Sequence, residues 1–105
     1  MPEKTIAGQI VELDEEGYLK NPVQWTKEIA VEIAKEEGIP ELTPAHWRVI
    51  EFLQKDFRER GEVPGMRRLH KVGGIPTKEL FDLFPGGPIK KAARIGGLPK
   101  PASCV

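Results

Sequence analysis

Cysteine is nearly absent from this chain: among 105 residues there is one, Cys104, directly before the terminal Val105. A lone thiol closes no intramolecular disulfide, and with only His46 and His70 beside it the sequence offers no structural zinc set, so disulfide scaffolds and zinc fingers are excluded. No metal or cofactor motif is present. Long apolar runs are also missing. None approaches the ~20 residues that a membrane-spanning helix needs, and the opening MPEKTIAGQI carries no apolar stretch behind a basic start. The expectation is a protein without a membrane role, working in the cytoplasm, where a free thiol stays reduced. There is no internal repeat, and 105 residues leave room for one core.

Hydrophobic residues make up 39% and charged residues 30%, the balance of a chain that folds. Eleven glycines and ten prolines, more of them after Val63 than before it, predict a second half of short elements joined by turns. Thr5-Ile-Ala-Gly-Gln-Ile-Val-Glu-Leu13 sets β-branched residues on both sides of an Ala-Gly pair and reads as a small hairpin, followed by turn residues from Asp14 to Lys20 around Gly17 and Tyr18. Trp25, Ile29 and Ile33 recur at helical spacing behind two possible openings, Asn21-Pro22 and Thr26, and Gly38 and Pro40 stop that helix. Thr43-Pro44 pairs an N-cap hydroxyl with proline at the first helical position, and Trp47, Ile50, Leu53 and Phe57 carry the apolar stripe down to Gly61. Pro64 to Val72, Thr77 to Phe84 and Pro88 to Ile95 then read as three short helices, the last ending at Gly96-Gly97.

The zero net charge hides a division. Residues 1–63 hold 8 Lys or Arg against 14 Asp or Glu (−6), and residues 64–105 hold 8 against 2 (+6). That asymmetry predicts an anionic partner for the C-terminal part, or charges that meet across the fold.

The chain ends GGLPKPASCV. Two glycines free the backbone at the root while Pro99 and Pro101 stiffen the stem beyond them, so residues 1–95 are expected to form the body and 96–105 a hinged arm with a reach of roughly 30 Å. A thiol at the tip of such an arm is suited to entering another protein's active site. Its thiolate attacks a donor's sulfane sulfur, carries that sulfur as a persulfide, and hands it on.

The run FPGGPIKKAARIGGLPKPASCV, with EEGYLKNPVQW, LTPAHWRVIEFL and VPGMRRL before it, resembles the DsrC/TusE family of small sulfur carriers related to the gamma subunit of dissimilatory sulfite reductase. The likeness covers nearly the whole chain, and the GLPKP-x-x-C-x ending is its most specific part. It implies a mainly α fold, a small orthogonal helical bundle with an N-terminal β-hairpin and a flexible C-terminal arm. It also implies that Cys104 is the sulfur-bearing residue of a sulfurtransferase that needs no cofactor. Members dedicated to sulfite reductase carry a second cysteine earlier in the arm, where this chain has Ala93. That difference favours the single-cysteine branch, which relays persulfide sulfur from a donor protein complex toward tRNA 2-thiouridine synthesis by a tRNA thiolase. Service to a sulfite reductase or a sulfur-oxidation system is the alternative.

Arg67, Arg68, Lys71, Lys90, Lys91, Arg94 and Lys100 form the basic set, able to meet a partner, to balance a persulfide's charge, or simply to solvate a face. The resemblance raises Arg67, Lys90 and Arg94 above the rest, and Lys100 adjoins the thiol in sequence. The aromatic residues are expected in the core. His46, third in its helix after Thr43, is placed to bond back to the cap, and neither histidine is expected to form a dyad with Cys104. Pro64 to Phe84 also has the outline of a helix-turn-helix DNA reader. Its second helix, TKELFDLF, offers one cation against two acids, which is poor material for a phosphate-lined groove, so direct nucleic-acid binding is not expected.

Overall fold

The computed structural model describes residues 3–101. It is a mainly α fold, a small helical bundle capped by an N-terminal hairpin. Strands β1 (Glu3–Ile6) and β2 (Gln9–Glu12) pair antiparallel, with Ile6 opposite Gln9. The two residues between them, Ala7 and Gly8, both have positive φ (52° and 78°), the pattern whose twist suits a two-residue hairpin. Val11 and Ile6 turn inward and seat the hairpin on the helices. Asp14 then organises the following turn, its Oδ1 accepting the backbone N–H groups of Glu16 and Tyr18.

Both openings expected before the first helix are used. Pro22–Gln24 forms a single 3-10 turn, and Thr26 caps α1 (Lys27–Glu36) by accepting the Ile29 N–H. α2 (Pro44–Arg60) starts from a reciprocal cap: Thr43 Oγ1 accepts the His46 N–H, and His46 Nδ1 accepts the Thr43 N–H. Three short helices follow, α3 (Met66–Lys71), α4 (Thr77–Leu83) and α5 (Pro88–Ile95). Among the described residues no helix is long and apolar enough to cross a membrane.

The core forms where α5 packs on both α1 and α2. Ile89, Ala92, Ala93 and Ile95 of α5 are fully buried, as are Ile29 and Ile33 of α1 and Ile50 and Leu53 of α2. Two alanines on the inner face of α5 let its backbone lie close to its neighbours. Trp25, Trp47 and Phe57 pack against this core from its edge, and Phe81 stands partly exposed outside it.

Candidate functional site

The end of α5 determines where the C-terminal segment leaves the body. Gly97, with φ +72°, donates its N–H to Arg94 O, and Leu98 donates to Ala93 O. These paired bonds close the helix with a left-handed glycine and an apolar residue behind it, the same device that Gly38 and Ile39 supply after α1. Gly96, Gly97, Leu98 and Pro101 are all buried. Gly97 lies against the Trp25 ring so closely that a Cβ there would sit 2.5 Å from Trp25 Cδ1, and a Cβ on Gly96 would meet Ala92 O at 3.1 Å and Ile50 Cγ2 at 3.2 Å. Gly97 is therefore required for capping and close approach, while a side chain at Gly96 would need its neighbours to give by a few tenths of an ångström. Trp25 Nε1–H donates to Ile95 O at 2.8 Å, and Gln54 Nε2–H donates to Gly96 O at 2.8 Å. Of the segment expected to form an arm, residues 96–101 follow the body. Cys104, the proposed reactive residue, lies outside the described residues.

Two of the four basic residues singled out from the sequence are engaged within the fold. Arg94 donates from Nε to Gly17 O, from Nη1 to Glu37 at 2.8 Å and from Nη2 to Glu36 at 2.9 Å. Lys100 Nζ meets Glu16 at 2.8 Å, and this partner holds its ammonium above the ordinary lysine range. Here the charges of the two halves of the chain do meet. Lys91 Nζ is also engaged, donating to Glu37 O at 3.3 Å. Arg67 and Lys90 are exposed and have no partner among the described residues.

Arg67 and Lys90 do not share a site. Lys90 borders a cavity of about 250 Å³ with Glu16, Tyr18, Glu37, Lys91 and Arg94. Burial first, then the negative charges of Glu16, Asp14 and Glu37, raise the Tyr18 phenol above its ordinary value, with Arg94 opposing. Arg67 borders a different cavity of about 380 Å³ with Arg60, Arg68, Lys71 and Val72. Sequence reasoning took Trp25 as core only and missed Gln54, Glu16, Glu36 and Glu37; the one signal for the acids was the −6/+6 charge split.

The DsrC-like protein family model matches residues 5–105. The chain is 40% identical over 105 residues, 100% of both chains, to the dissimilatory-type sulfite reductase subunit gamma of Nitratidesulfovibrio vulgaris. It is 42% identical to the sulfurtransferase TusE of Escherichia coli (strain K12), covering 93% of this chain and 95% of that one. The chain belongs to the DsrC-like family. The solution structure of Allochromatium vinosum DsrC agrees with this fold at a TM-score of 0.85, with 39% identity over 98% of this chain and 97% of that chain. Within this DsrC-like fold Ala93 is a fully buried residue of α5, one turn ahead of Gly97, and not part of the segment beyond the helix, where the likeness in sequence alone puts that position.

Proposed function

We propose that this DsrC-like protein is a sulfur carrier, a sulfurtransferase working within a multi-protein relay in the cytoplasm, with Cys104 as the residue that bears the sulfur. The observation that carries the reading is likeness at about 40% identity, across the whole chain, to proteins named for sulfur transfer and sulfite reduction, in a chain whose only cysteine is next to last. In the proposed step the Cys104 thiolate attacks the outer sulfur of a donor persulfide. A new S–S bond forms at Cys104, the donor's S–S bond breaks, and the donor cysteine departs as a thiolate, so no outside oxidant or reductant is needed. The acceptor then repeats the exchange.

Having one thiol favours relay toward tRNA thiolation, because Ala93 supplies no second sulfur for a cycle between two cysteines. The sulfite-reductase reading stays as the second one, on the strength of the gamma-subunit relative. In either role Arg67 and Lys90 are, of these four, the cations open to a protein partner, while Arg94 ties α5 to Gly17, Glu36 and Glu37 and Lys100 ties the chain beyond α5 to Glu16.

Intact mass after incubation with a persulfide donor tests the proposal. A gain of about 32 Da per sulfur, lost in Cys104→Ser and reversed by a thiol reductant, is expected. A wild-type protein that gains nothing from protein and small-molecule donors alike would overturn it.

A further inference from the structure

Tyr18 is 5% exposed, yet its hydroxyl has no hydrogen-bond partner among the described residues. A buried tyrosine ordinarily finds one. No wholly enclosed side-chain polar atom of the described residues lacks a partner, so this hydroxyl reaches open space, and the space that Tyr18 lines is the cavity of about 250 Å³ beside Lys90. Burial, then the negative charges of Glu16, Asp14 and Glu37, hold the phenol above its ordinary pKa, so at neutral pH it keeps its proton and remains a donor.

The same cavity lies at the start of α5. Gly86 and Gly87 border it, and α5 has neither a side-chain cap nor an acid in its first turn, so the N–H groups that open this helix have no side-chain acceptor. Lys90 is exposed and without a partner among the described residues. Lys91 Nζ reaches back to the glycine pair, 3.9 Å from where a Cβ on Gly86 would sit, with only the Glu37 carbonyl as its acceptor among the described residues. Two carboxylates also line the cavity, and each already faces a cation: Glu37 meets Arg94 at 2.8 Å, and Glu16 meets Lys100 at 2.8 Å. The charge left over is positive.

We propose that this cavity is a binding site for a tetrahedral oxyanion of the sulfate and phosphate class, held by the Tyr18 hydroxyl, the Lys90 and Lys91 ammonium groups and the N–H groups that open α5. Such an anion presents oxygens in several directions at once, which suits donors that come from a buried phenol, two flexible cations and a helix end. A carboxylate presents two oxygens in one plane and would leave some of these donors unused. The site goes beyond the carrier reading and does not depend on Cys104.

Titration of the full-length protein with sodium sulfate, and separately with sodium phosphate, at an ionic strength held constant with sodium chloride tests the assignment. The amide NMR shifts of Ile89 and Lys90 should saturate at millimolar concentrations or below, while those of β2 stay in place. Sodium acetate should bind at least about tenfold more weakly. Tyr18→Phe should weaken both tetrahedral anions about fivefold without lowering the melting temperature, because the hydroxyl it removes bonds nothing within the fold. Lys90→Gln, at an exposed position, should weaken them about tenfold and serves if Tyr18→Phe does not fold, whereas Lys78→Gln on α4 should leave the midpoints unchanged. The tighter of the two anions identifies which source the site takes. Shifts that rise without saturating, acetate that binds as well as sulfate, or midpoints that neither Tyr18→Phe nor Lys90→Gln moves would overturn the site. So would a Tyr18→Phe protein that melts well below wild type, since the hydroxyl would then be a structural group.

Discussion

Arg68 grips Asp56 through two guanidinium nitrogens, Nη2 to Oδ1 at 2.7 Å and Nε to Oδ2 at 2.9 Å, and so ties α3 to α2. Arg60, one turn along α2, adds a contact to Oδ2 at 3.1 Å. Asp56 is 4% exposed, and a carboxylate so placed needs partners of this kind. The Arg68 hydrogen bonds, followed by Arg60, hold its carboxyl below the ordinary aspartate range, and burial works in the opposite sense. A depressed folded-state pKa contributes stability that is present above the unfolded value near 3.8 and is lost as pH falls through the folded value. Thermal melts at a series of pH values should therefore show wild type losing stability below about pH 4 faster than Asp56→Asn, with the two curves converging in acid. At neutral pH Asp56→Ala should cost about 2 kcal/mol, since it strips charged hydrogen bonds from Arg68 and Arg60. Parallel curves for wild type and Asp56→Asn would show that the pair is not coupled to folding.

His46 carries structural duties that its position in the sequence announces only in part. Nδ1 accepts the Thr43 N–H at 3.1 Å, Nε2–H donates to Leu83 O at 2.9 Å, and the ring meets Phe84 edge to face with centroids 5.2 Å apart. Thr43→Ala should cost about 1 kcal/mol, the ordinary loss for an N-cap. His46→Ala should cost about 3 kcal/mol, because it removes the other half of the cap, leaves the Leu83 carbonyl without its partner and opens space beside Phe84. Chemical denaturation of the two variants gives the comparison, and equal losses would mean that the Leu83 and Phe84 contacts contribute nothing.

Which parts of this structure were legible in the sequence depends on the range of the interactions that made them. Ala7-Gly8, Thr43-Pro44, Gly38 and Gly61 act on their immediate neighbours, so the hairpin, the helix starts and the helix ends could be located from the chain alone. The ion pairs could not. Arg94 finds Glu37 across 57 residues, and Lys100 finds Glu16 across 84, distances at which only the charge split gave a hint. A Gly-Gly pair reads equally as a pivot or as a helix cap. Here it forms a cap through the left-handed Gly97 and the Leu98 N–H bond to Ala93 O, and Trp25, whose bond to Ile95 spans 70 residues, covers that cap. Trp25 was legible as a large apolar residue, but the glycine it covers was not.

Burial of Ala93 bears on what one substitution can restore. In Ala93→Cys carrying Cys104→Ser, the new thiol would sit on the inner face of α5, where the native side chain is fully buried. Its alkylation should be about a hundredfold slower than that of Cys104 in the wild type, because a sulfur so placed reacts only through local opening. The added sulfur should cost about 1 kcal/mol of stability in a close-packed site. Alkylation as fast as that of Cys104 would show that α5 opens readily, and a sulfur cycle between two cysteines would then be open to the Ala93→Cys protein.

Gly97 and Gly61 separate the cost of a backbone conformation from the cost of a contact. Both have positive φ, +72° and +77°, so alanine at either position meets the same backbone penalty of about 1 kcal/mol. Around Gly61 the space is open, with nothing within 4 Å of where a Cβ would sit. At Gly97 the same atom falls 2.5 Å from Trp25 Cδ1 and 2.6 Å from Cγ, closer than any real contact, so the indole must move and give up its bond to Ile95 O. Gly61→Ala should accordingly lose about 1 kcal/mol, and Gly97→Ala about 2–3 kcal/mol once the hydrogen bond and the displaced ring are added. Denaturant midpoints at unchanged m-values would measure both, and Trp25 fluorescence, read in a Trp47→Phe background, should shift toward the solvent-exposed spectrum only in Gly97→Ala. If the two substitutions cost the same and the spectrum stays put, the Trp25 ring yields freely, and the close fit at Gly97 contributes nothing to holding the chain beyond α5.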